Sequence, residues 1–315
     1  MIAITGAAGF IGSNLAHRLA GMGHELLLVD HALGTATPAN WAGLDGYKFL
    51  DHMHFIEHLD SIVLDAVFHL GACSDTTETN WEYLQNNNIG YSKILWKHCA
   101  REQIPYLYAS SAATYGDGSK GFDDRTPPSE LVPLNLYGKS KNDFDAWALV
   151  QTKAPPRWAG FKFFNVYGPR ETHKNRMASV VYQTWKQVKA TGSMKLFRSS
   201  DPKYPDGGQL RDFVFVQDNI DHMLWCWQND VPGAVYNSGT GHARSFHDLA
   251  KAVFAAMKLE PNTGFVDMPA DLLGKYQNFT EAKMAKLRAT GFSKATTMLE
   301  EGVRHTVEWL ETSSK

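Results

Sequence analysis

Short apolar runs alternate, along the first half of the chain, with segments whose apolar residues recur at helical spacing. An apolar run of about four to eight residues is typical of a strand buried on both faces, and its alternation with helices is typical of parallel βαβ units. The predicted strands are residues 1–5, 25–29, 66–70, 105–110 and 159–164. The sequence therefore predicts an α/β fold built on a parallel sheet.

Two helices are predicted between these strands, and their apolar stripes differ. The first stripe consists of Ile11, Leu15, Leu19 and Met22. The second consists of Leu84, Asn87 or Asn88, Tyr91, Leu95 and Cys99. Both stripes have the spacing of a helix face packed on a core, but the second has an amide within it. Because a buried amide must be hydrogen-bonded, we expect this Asn either to bind neighbouring main chain or to contact a ligand.

The regular alternation ends near residue 165, and Pro- and Gly-rich segments follow. The segment DPKYPDGGQL at 201–210 has the residue types of turns rather than the pattern of a strand or helix. Strand-like RDFVFV at 211–216, a helix over 217–229 and strand-like AVYN at 234–237 predict a return of the chain to the first lobe.

Helical patterns close the chain near residues 280–290 and 295–312. The second of these places Leu299, Val303, Val307 and Leu310 on one face. We expect two interleaved lobes with a cleft between them. The first lobe, a doubly wound parallel sheet, takes residues 1–165 and 211–239. A smaller, irregular lobe that binds the substrate takes residues 166–210 and 240–315.

Charge and composition exclude several classes of protein. The chain has 31 Lys and Arg against 33 Asp and Glu, a formal net charge of -2, so no basic surface for nucleic acid or an anionic membrane is expected. No apolar run approaches the roughly 18 residues of a membrane-spanning helix, and the N-terminus lacks the pattern of a signal peptide. Cys73, Cys99 and Cys226 are widely separated, which favours neither disulfides nor a zinc site. We expect a cytoplasmic protein without a metal.

Gly6, Gly9 and Gly12 follow the first predicted strand at three-residue spacing, where a helix begins. Glycine lets main-chain N–H groups approach a pyrophosphate, and the helix N-terminus adds a favourable dipole. Strand, glycine turn and helix together predict a dinucleotide site in a Rossmann-type fold. Asp30 ends the second strand, where a carboxylate can accept hydrogen bonds from the adenosine ribose. Asp30 favours NAD, since the 2′-phosphate of NADP would need a cation and residues 31–40 offer only His31.

The spacing Tyr-x-x-x-Lys places a phenol and an ammonium one helical turn apart, so that the cation can lower the pKa of the phenol. It occurs at Tyr137/Lys141 and at Tyr182/Lys186. Ser111 precedes the first pair and lies just past a predicted strand, where the cofactor crevice is expected. We therefore predict that Tyr137 is an acid/base, with Lys141 as its partner and as a ribose ligand. Ser111 is predicted to hydrogen-bond the reacting oxygen, and Tyr182/Lys186 to lie on an amphipathic surface helix.

Two other clusters favour ordinary structure over chemistry. His52, His54 and His58 have no accompanying carboxylate or thiolate pattern, so we predict a surface loop rather than a metal site. Asp123 and Asp124 show no partner for paired-carboxylate chemistry.

The segments GAAGFIG at 6–12, SSAATYG at 110–116 and YGKSK at 137–141 resemble the extended short-chain dehydrogenase/reductase family of nucleotide-sugar epimerases and dehydratases. GACSDTTE at 71–78 and the HK-x-x-MASV pattern at 173–180 are similar to the branch of that family that acts on ADP-heptose. This resemblance implies epimerisation of ADP-heptose at C6″, through transient oxidation by tightly bound NAD(P), for lipopolysaccharide inner-core synthesis. It also implies a homo-oligomer.

The same resemblance implies roles for individual residues. It implies two bases, Tyr137 and Lys174, one for each epimer. It implies cofactor contacts from Phe10, Ile11, Asp30, His31, Leu70, Gly71, Ala72, Cys73, Ser74, Asn87, Lys141 and Val166. It implies substrate contacts from Asn165, Arg176, Gln183, Phe197, Arg198, Ser199, Ser200, Arg211 and Tyr276. Arg211 has a physical argument of its own, because a guanidinium is well suited to a diphosphate.

The chain also departs from the family pattern. A small polar residue is expected at Arg176 and a histidine at Gln183, and the segment 201–210 is longer than expected. The family is associated with NADP, but the expected basic residue near Thr37 is absent, so NAD and NADP both stay open. Two alternative functions also stay open: another nucleotide-sugar epimerase or reductase of the family, and a non-catalytic nucleotide-sugar binding protein. A 4,6-dehydratase is disfavoured, because Ala112 and Ala113 occupy the positions next to Ser111.

Overall fold

A computed structural model of the chain describes residues 1–31, 39–269 and 277–313. Its strands are β1 Ile2–Thr5, β2 Leu26–Asp30, β3 Lys48–Asp51, β4 Ala66–His69, β5 Tyr106–Ser111, β6 Trp158–Phe163, β7 Asn165–Tyr167, β8 Met194–Phe197, β9 Leu210–Arg211, β10 Phe213–Phe215, β11 Ala234–Ser238, β12 Arg244–Ser245 and β13 Thr263–Val266. Its α-helices are α1 Phe10–Gly21, α2 His52–Glu57, α3 Trp81–Leu84, α4 Tyr91–Arg101, α5 Leu136–Leu149, α6 Val180–Thr191, α7 Val216–Gln228, α8 Phe246–Ala256, α9 Ala285–Arg288 and α10 Leu299–Ser313.

Seven of these strands form a parallel sheet in the order β11-β6-β5-β4-β1-β2-β3. The chain builds one half of the sheet outward from β1 through β2 to β3. It then crosses over to β4 and builds the other half. In a sheet of this kind ligands bind at the carboxyl ends of the strands on either side of the reversal, here β1 and β4. The predicted doubly wound α/β fold is confirmed.

Burial on both faces explains the apolar composition of the central strands. All four residues of β1 are buried. Ile4 packs with Leu15 and Leu19 of α1 in one cluster, while Ala3 packs with Leu95 of α4 in another. Each fully buried leucine contributes about 1.5–3 kcal/mol to stability, so the two faces together hold the strands in place.

The second half of the chain differs from its prediction in detail. The predicted strand at 234–237 is confirmed as β11, which pairs with β6. The strand predicted at 211–216 is β10, which pairs with β7 in a separate two-stranded sheet. Near 280–290 only the short helix α9 forms. The last helix is confirmed, with all four predicted stripe residues buried.

Two features of the first half were not predicted. The edge strand β3 was missed because Lys48–Asp51 mixes charged and apolar residues, as suits a strand with one free edge. The histidines at 52, 54 and 58 do not form a surface loop: His52 and His54 lie in α2, whose N-cap Asp51 accepts a hydrogen bond from the Met53 amide.

Cys73, Cys99 and Cys226 are free thiols. In residues 1–31, 39–269 and 277–313, no cluster of three or more His, Cys, Asp or Glu could hold a metal ion. Over the same residues, no helix has both the length and the apolar composition to cross a membrane.

Candidate active site

A cavity of about 690 Å³ opens at the carboxyl ends of the central strands. The residues that the sequence predicts for the cofactor line it together: Gly6, Gly9, Phe10, Ile11, Gly12, Asp30, His31, Leu70, Gly71, Ala72, Cys73, Ser74, Asn87, Lys141 and Val166. Ser111, Tyr137, Asn165 and Lys174 line the same cavity. The fold therefore brings groups from widely separated parts of the chain to one place.

Close packing requires glycine in the turn between β1 and α1, which also opens to the cavity. Gly6 has φ +67°, and a Cβ there would lie 2.7 Å from Cα of Gly71. A Cβ on Gly12 would lie 2.0 Å from the carbonyl oxygen of Gly6. Helix α1 begins at the turn, and its N-cap Gly9 provides no side-chain cap. A tight turn that leads into an uncapped helix N-terminus is suited to bind a pyrophosphate, so these residues fit a dinucleotide.

Asp30 lies at the outer end of the cavity and already has two main-chain donors. Its Oδ2 accepts a hydrogen bond from the Ala8 amide at 2.8 Å, and its Oδ1 accepts one from the His31 amide at 2.8 Å. Asp51 lies in register with Asp30 on the neighbouring strand β3. Two adjacent carboxylates make this end of the cavity unfavourable for a further negative charge.

A buried histidine lies beneath the turn between β4 and the cavity. His69 Nδ1 is 2.7 Å from Thr5 Oγ1 at the end of β1, and its Nε2 is 2.8 Å from Ser92 Oγ on α4. Thr5 Oγ1 in turn accepts a hydrogen bond from the Gly71 amide. Burial lowers the pKa of His69 to about 3, so the ring is neutral and serves to fix the Gly71 segment.

Asn87 and Asn88, the alternatives for the amide within the second helical stripe, have different surroundings in the structure. Asn88 is buried; its Oδ1 accepts from the Cys73 amide, and its Nδ2 donates to the Cys73 carbonyl and to Ser140 Oγ. Asn87 lines the cavity. A π-helical turn over Gln85–Gly90 separates α3 from α4, and such turns are frequent at functional sites. Both amides therefore bind main chain, since Asn87 Nδ2 donates to the Tyr83 carbonyl at 2.9 Å, but of the two only Asn87 also lines the cavity.

Ser111 on β5 and Tyr137 and Lys141 on α5 form what we call the sheet wall of the cavity. Helix α5 begins at Asn135, whose side chain accepts a hydrogen bond from the Gly138 amide, so Tyr137 lies in its first turn. Ser111 hydrogen-bonds Tyr137. Lys141 Nζ donates to the Ala109 carbonyl at 2.9 Å.

The electrostatics of the sheet wall differ from the prediction for Tyr-x-x-x-Lys. Burial raises the pKa of Tyr137, and the hydrogen bond from Ser111 lowers it only in part. Burial also lowers the pKa of Lys141 to about 8. The predicted lowering of the phenol pKa by Lys141 is therefore wrong for this structure, because the ammonium donates to the Ala109 carbonyl and burial disfavours the charged phenolate.

A buried ion pair supports the sheet wall from behind. Lys162 Nζ on β6 is 2.8 Å from Asp145 Oδ2 on α5, and both side chains are almost fully excluded from solvent. Asp145 also accepts hydrogen bonds from Tyr108 and Ser110 of β5. Lys162 donates to Thr114, which donates to the Ser111 carbonyl. Asp145 thus connects α5 to β5 and β6, next to the predicted catalytic groups.

Lys174 lies on a second wall, which we call the turn wall and define as residues 168–179. These residues include a 3-10 segment, Thr172–Met177, between β7 and α6. Lys174 Nζ lies 5.6 Å from the centre of the Phe10 ring at the start of α1. Burial lowers the pKa of Lys174, and the charge of Glu171 raises it. A lysine in this environment is more easily deprotonated than an exposed one.

Side-chain amides connect the turn wall to the glycine turn. Asn40 Nδ2 donates to the Ala8 carbonyl at 2.9 Å and to the Arg170 carbonyl at 3.1 Å. Asn14 of α1 donates to the carbonyls of Phe10 and Pro169. The segment that carries Lys174 is therefore held directly against the predicted cofactor turn.

Most predicted substrate residues lie elsewhere, and their roles stay predictions. Among the predicted substrate residues that the structure describes, seven do not line the cavity: Arg176, Gln183, Phe197, Arg198, Ser199, Ser200 and Arg211. Arg176 donates to Thr77 Oγ1, Gln183 to the Asn175 carbonyl, and Arg198 pairs with Asp206. Arg211 is buried, donates to the Leu210 carbonyl and lies over the Phe246 ring. Tyr276 and Thr37 lie outside the described residues.

The second Tyr-x-x-x-Lys pair has the predicted location. Tyr182 and Lys186 lie on α6, where Tyr182 stacks on Trp185 and Lys186 is exposed. Neither residue lines the cavity.

Sequence reasoning missed several residues of the site. His52 and Tyr91 line the outer end of the cavity, and Met177, Ala178 and Ser179 line it beside Lys174. Ser179 could have been found, because it is the N-cap of α6 and precedes an apolar helical stripe. The location of His52 could not, because it depends on the unpredicted pairing of β3 with β2.

Comparison with known proteins agrees with this geometry. The family described as NAD dependent epimerase/dehydratase matches residues 2–239. An ADP-L-glycero-D-manno-heptose-6-epimerase of Fusobacterium nucleatum is 46% identical, over 98% of this chain and 97% of the relative. One of Nitratidesulfovibrio vulgaris is 46% identical, over 96% and 95%. The solved ADP-L-glycero-D-manno-heptose-6-epimerase of Helicobacter pylori matches with a TM-score of 0.84 at 26% identity, over 98% of this chain and 96% of that one.

The match to the family covers most of the chain, including the glycine turn and the sheet wall, and the relatives match it almost from end to end. This protein belongs to the NAD-dependent epimerase/dehydratase family.

Proposed function

We propose that this protein is an isomerase that converts ADP-D-glycero-β-D-manno-heptose to its L-glycero epimer at C6″, for lipopolysaccharide inner-core synthesis. The observation that carries the proposal is the pair of proton-transfer groups, Tyr137 and Lys174, on different walls of one cavity. The names of two relatives at 46% identity support the same substrate.

Two proton-transfer groups suit an epimerisation that passes through a ketone. Each C6″ epimer presents its hydroxyl in a different direction, so each needs its own acceptor when it is oxidised and its own donor when it is formed. Tyr137 stands on the regular sheet wall and Lys174 on the turn wall. Ser111, which hydrogen-bonds Tyr137, would also hydrogen-bond the reacting oxygen.

The cofactor we propose is NAD(P), held by the glycine turn, Asp30 and Lys141. A bound nicotinamide supplies the reversible hydride acceptor that the oxidation at C6″ requires. The uncapped N-terminus of α1 would take the pyrophosphate, and the Lys141 ammonium a ribose hydroxyl. The carboxylates of Asp30 and Asp51 favour NAD over NADP.

We also propose the two-lobe division of the chain, with residues 1–165 and 211–239 holding the cofactor and residues 166–210 and 240–315 holding the nucleotide sugar. A cytoplasmic location and a homo-oligomer complete the proposal, because both accord with the implied substrate and family.

The function is tested by incubating the purified protein with either heptose epimer and following the C6″ configuration by NMR. We expect interconversion of the two epimers without net consumption of NAD(P)H. In D₂O the C6″ hydrogen should stay protium, because the same hydrogen leaves and returns as hydride. No turnover of either epimer by cofactor-loaded protein would exclude the function, and stoichiometric loss of NAD(P)H would indicate a reductase.

A non-catalytic binding protein is the second candidate class. It predicts that the protein binds ADP-heptose without turnover. Titration calorimetry measures sugar-nucleotide binding by the unmodified protein and by Tyr137→Phe, and the NMR assay measures their turnover. The two measurements together separate the enzyme from the binding protein. We expect both proteins to bind the sugar nucleotide and only the unmodified one to epimerise it.

The cofactor preference is tested at Asp30. We expect Asp30→Asn to raise the affinity for NADP relative to NAD by roughly tenfold, because one charge beside the 2′ position is removed. Fluorescence titration of cofactor-free protein with both dinucleotides measures the ratio. Glu57→Gln, on the exposed end of α2, is the matched control that should leave the ratio unchanged. An unchanged ratio in Asp30→Asn would contradict a role for Asp30 in this choice.

A further inference from the structure

The turn wall contains a buried carboxylate to which the mechanism above gives no role. Glu171 is only 1% exposed, although it lies among charged and polar residues of an irregular segment. Its Oε1 accepts hydrogen bonds from the Gly168 amide at 3.3 Å and from Ser179 Oγ at 2.6 Å. Its Oε2 accepts one from the Ser179 amide at 2.5 Å. A buried carboxylate is unfavourable unless such partners compensate for its lost hydration, so a role for Glu171 in this segment is worth seeking.

The partners of Glu171 lie at the two ends of the turn wall. Gly168 follows β7 directly, and Ser179 is the N-cap of α6, where its hydroxyl accepts a hydrogen bond from the Tyr182 amide. Lys174 lies between these two ends. One carboxylate therefore joins the end of a strand to the start of a helix and closes the segment that carries Lys174.

The backbone beside Lys174 needs such support. Asn175 has φ +48° and ψ −117°, in a region that is strained for a non-glycine residue. The Asn175 carbonyl accepts a hydrogen bond from the Gln183 side chain of α6. A strained turn persists only where its surroundings fix it, and here the fixed points are the Glu171 contacts and α6.

Glu171 also acts on Lys174 through its charge. Burial lowers the pKa of Lys174, and the Glu171 carboxylate raises it. Other titratable groups near Lys174 include His173, whose pKa burial and the Lys174 charge both lower, and Asp30, whose charge raises the pKa of His173. Arg170 and Arg176 are further charged residues of the turn wall. The Phe10 ring of α1 also lies next to the Lys174 ammonium, but it has no titratable group.

We propose that Glu171 is a positioning residue for the epimerisation, which fixes the turn carrying Lys174 at both ends and sets the charge beside it. The proposal rests on the proposed function, since it assumes that Lys174 transfers a proton. Glu171 lies outside the cavity lining and acts through Lys174 rather than on the substrate.

The first test is Glu171→Gln in the cofactor-loaded enzyme. An amide keeps one acceptor but turns an NH₂ group toward either the Ser179 or the Gly168 amide, so one end of the turn is released. We expect kcat to fall by about a hundredfold, the effect of a misplacement near 1 Å, with a much smaller change in KM. Equal losses in kcat and in the fraction of folded protein would overturn the proposal.

Asp218→Asn is the matched control. Asp218 is a second buried carboxylate, on α7, and it accepts hydrogen bonds from the amide and hydroxyl of Thr297 outside the cavity. This variant should lower the thermal midpoint much as Glu171→Gln does but leave kcat unchanged. A similar fall in kcat in both variants would show that Glu171 matters only for stability.

A second measurement observes Lys174 without any turnover. Reductive methylation with ¹³C-formaldehyde labels the lysines, and Lys174→Met assigns the resonance of Lys174 in the NMR spectrum. We expect this resonance to titrate at lower pH in Glu171→Gln than in the unmodified protein, because a negative charge has been removed, and to be unmoved in Asp218→Asn. An unshifted titration in Glu171→Gln would overturn the electrostatic part of the proposal.

These two readouts separate failure of the inference from failure of the proposed function. If the unmodified protein does not epimerise ADP-heptose, the function is excluded, while the Lys174 titration still decides whether Glu171 controls it. Should Glu171→Gln fail to fold, Ser179→Ala removes one donor and keeps the carboxylate. A several-fold fall in kcat is then expected together with a small fall in the thermal midpoint, because Ser179 also caps α6, and an unchanged kcat would overturn the proposal.

Discussion

Tyr137 and Lys174 face the same cavity but are held in place by different means. Tyr137 stands in the first turn of α5, whose side chains Lys141 and Asp145 are buried against β5 and β6. Lys174 stands on a 3-10 segment that is closed by Glu171 and held against the glycine turn by Asn40. The sheet wall thus depends on regular elements and their core. The turn wall depends on a few individual hydrogen bonds.

This difference has a physical consequence. Loss of a contact in the sheet wall exposes or isolates buried groups, so it should act first on the stability of the whole fold. Loss of a contact in the turn wall releases a short segment, so it should act first on the rate of the reaction.

The largest effects are expected at the two proton-transfer groups. Tyr137→Phe and Lys174→Met should each lower kcat by about 10²–10⁴-fold. In the proposed reaction one group accepts the hydroxyl proton of one epimer and the other group donates a proton to form the second epimer, so both are needed in either direction. Steady-state assays in both directions measure the loss. The matched controls are Tyr182→Phe and Lys186→Met on α6, which have the same spacing outside the cavity and should leave kcat unchanged. A loss below tenfold in Lys174→Met would remove the catalytic role of the turn wall.

The next effect concerns the ion pair behind the sheet wall. Lys162→Met leaves Asp145 buried without its cation, and should lower the free energy of unfolding by about 3–5 kcal/mol. Chemical denaturation followed by far-UV circular dichroism gives this value. Glu300→Gln, which breaks the exposed Arg244–Glu300 pair, should cost about 0–1 kcal/mol. Equal costs in the two variants would contradict the view that the sheet wall depends on its core.

The smallest effect is a pH dependence of cofactor binding at Lys141. Its pKa is lowered by burial to about 8, so the side chain is cationic below that pH and neutral above it. Because an ammonium makes the stronger hydrogen bond to a ribose oxygen, NAD affinity should fall by roughly tenfold from about pH 7 to about pH 9. Fluorescence titration of cofactor-free protein measures it. In Lys141→Met the affinity should be lower throughout and lose this dependence, and an unchanged slope there would assign it to another group.

The two walls also differ in how far sequence could predict them. Gly6, Gly12 and Asp30, and likewise Ser111 and Tyr137, were found because each follows or begins a regular element at a fixed spacing. Lys174 was reached only through resemblance to a family, since no local spacing distinguishes it from a surface lysine. Glu171 and Asn40 were not found at all. Asn40 donates a hydrogen bond to the carbonyl of Arg170, which is 130 residues away, and no local sequence pattern predicts such a bond.

Some local details also required the fold. The sequence placed an amide within the second helical stripe but could not choose between Asn87 and Asn88. The π-helical turn at Gln85–Gly90 lets Asn88 reach Cys73 while Asn87 lines the cavity. In the same way, the lowered pKa expected for the Tyr137 phenol was wrong, because spacing along a helix does not show that Lys141 donates to the Ala109 carbonyl or that burial raises the pKa of the phenol.

Hydrophobic pattern, glycine spacing and the Tyr-x-x-x-Lys spacing by themselves determined the parallel α/β sheet, the dinucleotide turn and the groups of the sheet wall. They could do so because strands, helices and tight turns depend on neighbours within a few residues, and those neighbours are written in order along the chain. Only the tertiary structure decided that Lys174 shares the cavity with Tyr137, that Glu171 closes its turn, and that burial sets the pKa values of both. Burial and long-range hydrogen bonds depend on residues that are far apart in sequence, so these effects arise only when the chain has folded.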